Sequence, residues 1–192
     1  MNRSFSFPST LVYFFLIFLI QTVSAQDIPK RFKSFGADFG YGKEFSDNVD
    51  YEIFLFAADW SRSYSKPIKK DFLAWYVQPQ INLVKATNTP SNGLDYEFGV
   101  NLGIRNYIKV NERFYLYQML GSGPHYISAE LERQAKGFIF SDNFAIGSFI
   151  HIKNKYFLKL QLGLRHISNA NLKLPNRGVN SYILTIGFSG IK

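Results

Sequence analysis

The sequence predicts an all-β chain that forms an eight-stranded antiparallel β-barrel in a bacterial outer membrane. Three observations favour this fold class: apolar and polar residues alternate with a period of two, aromatic residues are abundant, and the N-terminus is typical of an export signal. Aromatic residues make up 18% of the 192 residues, with 20 Phe and 12 Tyr. Because successive side chains of a strand point to opposite faces, a barrel in lipid is apolar outside and polar inside.

The N-terminal segment is predicted to be a signal peptide covering residues 1–25, which leaves a barrel domain at 26–192. Arg3 precedes the apolar stretch Leu11–Ile20, and small residues lead up to Ala25. This order of a basic start, a short apolar region and a small-residue cleavage site is typical of secretory signals. The apolar stretch has ten residues, whereas a membrane-spanning helix needs about 20. We therefore expect an exported protein.

The first four predicted strands cover residues 34–42, 50–60, 73–83 and 94–105. The first, third and fourth alternate clearly, and the second is rich in aromatic residues but alternates less strictly. The third contains Pro79, which cannot donate to a ladder hydrogen bond and predicts a bulge or distorted pairing. The fourth has the clearest apolar face, formed by Leu94, Tyr96, Phe98, Val100, Leu102 and Ile104.

The last four predicted strands cover residues 112–121, 136–151, 158–165 and 181–189. The first two of these alternate weakly, and the last two alternate strictly. An even number of strands allows both termini to lie on the periplasmic side, and outer-membrane barrels have short inner turns and long outer loops. The predicted inner connections are Ser61–Lys70, Val110–Glu112 and Lys153–Lys155, and the predicted outer loops are Lys43–Val49, Lys85–Gly93, Ser122–Arg133 and Asn169–Val179.

Composition and charge limit the classes of function. The chain has no Cys, so disulfide bonds and thiolate metal sites are excluded. The formal net charge is +8. For an exported chain, this charge favours lipopolysaccharide phosphates or anionic head groups as partners over nucleic acid. The alternative is that the charge only solvates loops and turns.

Alternation alone does not separate a membrane barrel from a soluble, lipocalin-like barrel, which has its apolar side chains inside. Three function classes are therefore compared: an outer-membrane enzyme, a non-catalytic small barrel for adhesion or membrane integrity, and a soluble periplasmic lipid carrier. The wide apolar bands, the aromatic content and the export signal favour the membrane barrel.

Polar residues interrupt the lipid-facing side of the last two predicted strands. His166 and Ser168 share the parity of Leu164, and Asn180 shares the parity of Tyr182. Polar groups facing hydrocarbon are costly unless they lie at the interface or are functional. A Ser nucleophile, a His base and a third group that orients the imidazole are what a lipid hydrolase needs. The alternative is that these are interfacial residues without catalytic role. Ordinary surface roles are expected for His125, in a Gly-Ser-Gly-Pro-His loop, and for His151, beside a tight turn.

The same residues carry a resemblance to a known family. The segment His166–Ala170, followed by Pro175-Asn176, Gly178 and Ser181, resembles the C-terminal signature of the lipid A 3-O-deacylase family, the PagL-type outer-membrane esterases. The resemblance implies an eight-stranded barrel whose catalytic residues lie on its outside, near the outer leaflet. It also implies removal of an ester-linked acyl chain from lipid A, without a metal or another cofactor.

By this resemblance His166 is the general base, Ser168 the nucleophile, and Asn176 a residue that stabilises the oxyanion. The family's third catalytic residue is a glutamate, and Asn180 stands at its position; Asn171 replaces a family glycine that is linked to the oxyanion. Three interpretations remain open: an esterase with an orienting Asn180, an esterase that recruits an acid from elsewhere, or a barrel that has lost activity.

The last predicted outer loop contains Lys173 and Arg177. Both could pair with lipid A phosphates, because charge-assisted contacts to phosphate oxygens are strong. The expected partner is lipid A, or lipopolysaccharide, of the outer leaflet. The sequence leaves open whether the barrel forms a homodimer and which acyl chain is cleaved.

Overall fold

The computed structural model describes residues 32–45, 50–64, 71–87 and 93–192. The predicted signal peptide, residues 1–25, lies outside the described residues, as do parts of the connections Lys43–Val49, Ser61–Lys70 and Lys85–Gly93. The described residues form nine strands: β1 Lys33–Glu44, β2 Asp50–Ser63, β3 Asp71–Thr87, β4 Gly93–Asn111, β5 Phe114–Ser122, β6 Pro124–Ile127, β7 Gly137–Lys153, β8 Tyr156–Ser168 and β9 Val179–Ile191.

The strands form one antiparallel sheet that closes into a ring. Strand β1 pairs with both β2 and β9, and the pairing of β3 with β4 closes the circle. The short strand β6 pairs with the same two neighbours as β5, namely β4 and β7. Strands β5 and β6 therefore make one wall strand interrupted at Gly123, and the ring has eight strands, as predicted.

The two faces of the wall have opposite polarity. Large apolar side chains are exposed on the outside, among them Phe35, Phe39, Ile81, Leu94, Phe98, Leu162, Leu184 and Phe188. The inside contains buried charged groups, including Asp38, Asp59, Glu97, Arg105, Lys159 and Arg165. This polarity is that of an outer-membrane barrel and excludes the lipocalin-like alternative. Among the described residues, no helix is long and apolar enough to cross a membrane.

Charged side chains inside the barrel are paired with one another across the lumen. The Nζ atom of Lys159 lies 2.6 Å from Oδ2 of Asp38 and 2.6 Å from Oδ2 of Asp59. Arg105 donates two hydrogen bonds to Asp59, at 3.0 and 2.7 Å. Two cations and two carboxylates thus neutralise each other, which a buried charge requires.

The ends of the barrel follow the predicted asymmetry. The turns Glu112–Arg113 and Asn154–Lys155 are tight, and the backbone N–H of Lys33 donates to the carbonyl oxygen of Lys192 at 2.8 Å at the same end. The first turn lies slightly later than the predicted Val110–Glu112. Because short turns and termini occupy the periplasmic end of such barrels, β8 runs outward and the β8–β9 loop is external.

One predicted outer loop is partly wrong. The segment Ser122–Arg133 is predicted as an outer loop, but Pro124–Ile127 forms β6. Gly123 permits this, because a Cβ there would lie 1.8 Å from the carbonyl oxygen of Val100, so only glycine lets the two backbones approach so closely. His125 is consequently a lumen residue and not a surface residue: its Nδ1 lies 2.6 Å from Oε1 of Glu97.

Pro79 leaves the register of β3 intact. On one side it is aligned with Val100 of β4. On the other side, the described ladder passes from the pair Ala57–Gln80 to the pair Trp60–Val77 without a shift. The effect is a local gap in pairing and not a bulge.

Candidate active site

Four polar side chains form a row across the outer surface near the loop end of the barrel. Ser122 of β5, Asp142 of β7, His166 of β8 and Asn180 of β9 all point outward. Asp142 and Asn180 are the register partners of His166 on its two sides. We call these four residues the polar row. Below them, towards the periplasm, the same face is apolar, with exposed Leu164 and Tyr182.

His166 is held by the amide of Asn180. The Nδ1 atom of His166 lies 2.7 Å from Oδ1 of Asn180. An amide oxygen can only accept a hydrogen bond, so Nδ1 carries the ring proton and Nε2 is left with its lone pair free. The predicted outward positions of both residues are confirmed, and the ring has the tautomer that a general base requires.

Ser168 ends β8 on the same outer face as His166. It is half-buried and has Phe140 of β7 as its register partner. Within the described part of the chain, no hydrogen bond joins Ser168 to His166. The two side chains are next to each other along one face of a strand, and the nucleophile and base of hydrolases often approach fully only when substrate binds.

Gly178 packs against the imidazole of His166. It has φ of +69°, and a Cβ there would lie 2.5 Å from Cε1 and 3.0 Å from Nε2 of His166. An L side chain would therefore be strained by the backbone and would also collide with the ring. Gly178 belongs to the sequence signature, but its role cannot be predicted from sequence, because its contact with His166 forms only once β8 and β9 are paired.

Asn176 braces the loop between β8 and β9. Its Oδ1 accepts the backbone N–H of Asn169 at 2.8 Å, and its Nδ2 donates to Oδ1 of Asn171 at 3.0 Å. Asn171 has φ of +63°, a conformation that glycine adopts freely and that asparagine tolerates better than most residues. The replacement of the family glycine by Asn171 is therefore compatible with the loop backbone.

The outer end of this loop combines cationic and apolar residues. Lys173 and Arg177 are exposed, and Leu172 and Leu174 are 70% and 79% exposed. The loop is tied to the neighbouring loop by the backbone N–H of Arg177, which donates to the carbonyl oxygen of Arg133 at 2.8 Å. The alternation of Leu and Lys suits the boundary between acyl chains and head groups.

The inner face of β8 is anchored directly behind the site. Arg165 is buried and donates to Ser141 Oγ at 2.8 Å and to Tyr51 Oη at 3.1 Å. It also forms a salt bridge with Glu97, which accepts a further hydrogen bond from Asn82 at 3.1 Å. Arg165 thus links β8 to β7, β2 and β4, and fixes the strand that presents His166.

The acid in the polar row was missed by sequence analysis. Asp142 lies in the predicted strand 136–151, whose alternation is weak, so its outward direction gave little signal. In the structure it is exposed, and Ser122 Oγ donates to its Oδ1 at 2.5 Å. No group of three or more His, Cys, Asp or Glu side chains in the described ranges could hold a metal ion.

The chain matches the model of a known protein family. The model of the lipid A 3-O-deacylase (PagL) family matches residues 56–189, a range that includes His166, Ser168 and Asn180. A search of the curated proteins finds no match.

Solved structures share the fold at low identity. The crystal structure of the outer membrane enzyme PagL has a TM-score of 0.67 and 14% identity, covering 79% of this chain and 97% of that chain. Neisserial surface protein A (NspA) has a TM-score of 0.55 and 11% identity, with coverages of 86% and 99%. Ail, the attachment invasion locus protein of Yersinia pestis, has a TM-score of 0.53 and 10% identity, with coverages of 86% and 100%.

At 10 to 14% identity, the solved structures show only that the barrel fold is shared. The family is shown by the family model, because that model covers more than half of the chain. The family match and the barrel neighbours also give the location in the outer membrane. The chain therefore belongs to the lipid A 3-O-deacylase (PagL) family of outer-membrane β-barrel proteins.

Proposed function

We propose that this protein is an esterase that removes an ester-linked acyl chain from lipid A by Ser/His catalysis. The observation that carries the proposal is the 2.7 Å hydrogen bond from His166 to Asn180, which gives an outward-facing histidine the tautomer of a base. Ser168 lies on the same strand face, and the family is that of lipid A deacylases.

In the first half-reaction, Ser168 Oγ forms a bond to the ester carbonyl carbon while its proton passes to Nε2 of His166. The tetrahedral intermediate then collapses, the bond from the carbonyl carbon to the sugar oxygen breaks, and His166 gives its proton to that oxygen. Water repeats the sequence on the acylated Ser168, with His166 again taking and returning one proton. The products are a free fatty acid and a lipid A with one more hydroxyl.

The loop between β8 and β9 supplies groups for the developing oxyanion. Asn176 and nearby backbone N–H groups lie beside the end of β8 and are held by the Asn169–Asn176 and Asn176–Asn171 hydrogen bonds. Donors fixed in advance stabilise the charge of the transition state without reorganisation. We assign Asn176 to this role.

Lys173 and Arg177 are proposed to bind the phosphates of lipid A. Both are exposed on the loop next to Ser168, at the level expected for outer-leaflet head groups. Leu172 and Leu174 would then lie at the top of the acyl chain layer. Such contacts orient the substrate so that the ester, and not the sugar, meets the nucleophile.

Mass spectrometry of lipid A from cells that express the protein or its Ser168→Ala variant tests the proposal. We expect loss of one acyl chain with the unaltered protein and intact lipid A with Ser168→Ala. Ser148→Ala is the matched control, because Ser148 also faces outward, on β7, but lies far from His166 along the barrel. It should deacylate normally.

Unchanged lipid A in all three strains would contradict the proposal, provided that each protein shows the gel shift of a folded barrel on omission of boiling. That result would favour the non-catalytic barrel, with a role in adhesion or membrane integrity. Deacylation that persists in Ser168→Ala would overturn the assignment of the nucleophile.

A further inference from the structure

We infer that Asp142 is a positioning residue that stabilises the protonated form of His166 during deacylation, and so supplies the negative charge that Asn180 lacks. The inference rests on the proposed esterase function. It names the source of the acid in a chain whose family glutamate is replaced by an amide.

The need for an acid follows from the chemistry at Asn180. An amide oxygen fixes the tautomer of His166 but carries no net charge. In a Ser-His-acid triad, the acid also stabilises the imidazolium that forms when the serine loses its proton. A serine hydroxyl needs this help more than a thiol does, because it is the weaker nucleophile at neutral pH.

The register places Asp142 beside His166, on the side opposite to Asn180. Asp142 of β7 and His166 of β8 are aligned partners, and both point outward. The Cβ atoms of directly opposed residues in antiparallel strands lie about 4.5–5.5 Å apart. The ring itself is bonded to Asn180 and packed on Gly178, so Asp142 acts through space on the imidazolium and not by holding the ring.

The carboxylate of Asp142 is held by a hydrogen bond and, among the described residues, has no cationic partner in a salt bridge. Ser122 Oγ donates to its Oδ1 at 2.5 Å, which limits its rotation. A charge on the lipid-facing side of a barrel is costly, and within the described residues Asp142 has no salt-bridge partner to offset that cost. Its outward-facing neighbours across the wall are neutral Ser122 and the imidazole of His166.

Two other acids near the loop end are engaged elsewhere. Glu44 at the end of β1 is buried and pairs with Arg133 at 3.6 Å. Asp95 of β4 accepts a hydrogen bond from Ser128 at 2.7 Å and lies on the far side of β5 and β7 from His166. Asp95 therefore forms an Asp–Ser pair away from the histidine, on the inward-facing side of β4, and its substitution controls for the loss of such a pair by itself.

The test is steady-state kinetics of purified variants on lipid A in detergent micelles. For Asp142→Asn we expect kcat to fall about 10- to 100-fold with KM unchanged, because a charge near the developing imidazolium acts on the transition state. Asp142→Glu should recover most of the activity, and Asp95→Asn should match the unaltered protein.

A double-mutant cycle that combines Asp142→Asn with Asn180→Glu separates an effect of the charge from an effect on the structure. In the Asn180→Glu background the acid is restored at the family position, so Asp142→Asn should then lower kcat less than about threefold. Ser122→Ala keeps the carboxylate but frees it, and should lower kcat modestly; it serves as the test if Asp142→Asn does not show the gel shift of a folded barrel.

Normal kcat in Asp142→Asn, together with loss of activity in Ser168→Ala, would overturn this inference and leave the proposed esterase intact. An equal loss from Asp142→Asn in both backgrounds would also overturn it, since a merely structural role predicts that result. Activity that survives in Ser168→Ala would instead remove the proposed function itself.

Discussion

At the scale of single residues, the site depends on how tightly the imidazole of His166 is confined. Asn180 accepts the Nδ1 proton at 2.7 Å, and Gly178 leaves no room beside Cε1 and Nε2, because a Cβ there would lie 2.5 and 3.0 Å from these atoms. A displacement of about 1 Å can cost a hydrolase on the order of 10²-fold in rate. The loss of either contact is therefore expected to lower the rate of deacylation.

Gly178→Ala should lower kcat about 10²-fold, because the new methyl group would occupy the position of the His166 ring. The measurement is deacylation by the purified variant, with folding checked by the gel shift. Gly137→Ala is the control: Gly137 also has a positive φ, of +116°, but a Cβ there has nothing within 4 Å. If both alanine variants lose activity equally, backbone strain and not the ring contact is responsible.

Asn180→Leu should lower kcat by about 10²- to 10⁴-fold, because His166 loses the acceptor that fixes its tautomer. Leucine at an outward-facing position of β9 should not disturb the barrel. Tyr182→Leu, two residues along on the same face, is the comparison and should retain activity. Normal turnover by Asn180→Leu would show that Asn180 does not orient the base.

The sequence alone predicts the face of the barrel on which a residue lies when that face follows from the alternation along one strand. His166, Ser168 and Asn180 were placed outward because each continues the alternation of a strict strand. Gly178 and Asp142 were not assigned roles, because their relation to His166 is a contact between strands and depends on register. The alignment of β7 with β8 depends on the exact turn between them and on the register shift at His151–Lys153, and alternation alone gives neither.

At the scale of elements, the two faces of β8 have different roles: the outer face carries the candidate site residues, and the inner face holds the strand to its neighbours. His166 and Ser168 face outward, and the intervening positions Arg165 and Ile167 are buried. Arg165 connects to three other strands through Ser141, Tyr51 and Glu97. A strand held from within in this way can present an outer residue without relying on the loop that follows.

Arg165→Met should lower the free energy of unfolding by about 3–5 kcal/mol, because the buried carboxylate of Glu97 loses its cation. Urea unfolding in detergent micelles measures the change. Lys109→Met is the control: Lys109 pairs with Glu112 at an exposed site, where such pairs contribute less than about 1 kcal/mol. Equal effects of the two substitutions would contradict the anchoring role of Arg165.

The elements that are hardest to predict are those whose conformation depends on pairing with strands that are distant in the sequence. The segment at Gly123 and Pro124 has the composition of a turn, yet pairing with β4 and β7 on both sides extends it into the wall. His125 is carried with it into the lumen beside Glu97. Strict strands such as 158–165 and 181–189 needed no such context, because their alternation is complete.

At the scale of the whole molecule, the barrel is a filled body and not a pore. The cluster of Asp38, Asp59, Arg105 and Lys159 crosses the lumen, and Glu97 with Arg165 forms a second barrier. Eight strands also enclose only enough space for side chains.

The filled lumen predicts that the protein reconstituted in planar lipid bilayers has no steady ion conductance. The paired charges leave no continuous water path, and removing any one of them would expose an unpaired partner at high cost. Current recordings over a range of voltages give the measurement. A stable open channel of uniform size would contradict the filled lumen.

The outward position of the polar row has a consequence for anything that is to reach it. A molecule arrives at His166 and Ser168 sideways, from within the leaflet, after it has already dissolved there. Its effective concentration is then its mole fraction among the surrounding lipids, and not its concentration in water. An inhibitor of this site would accordingly be selected as much by its partition coefficient as by its fit, and a tight-binding but water-soluble compound would fail at the membrane surface.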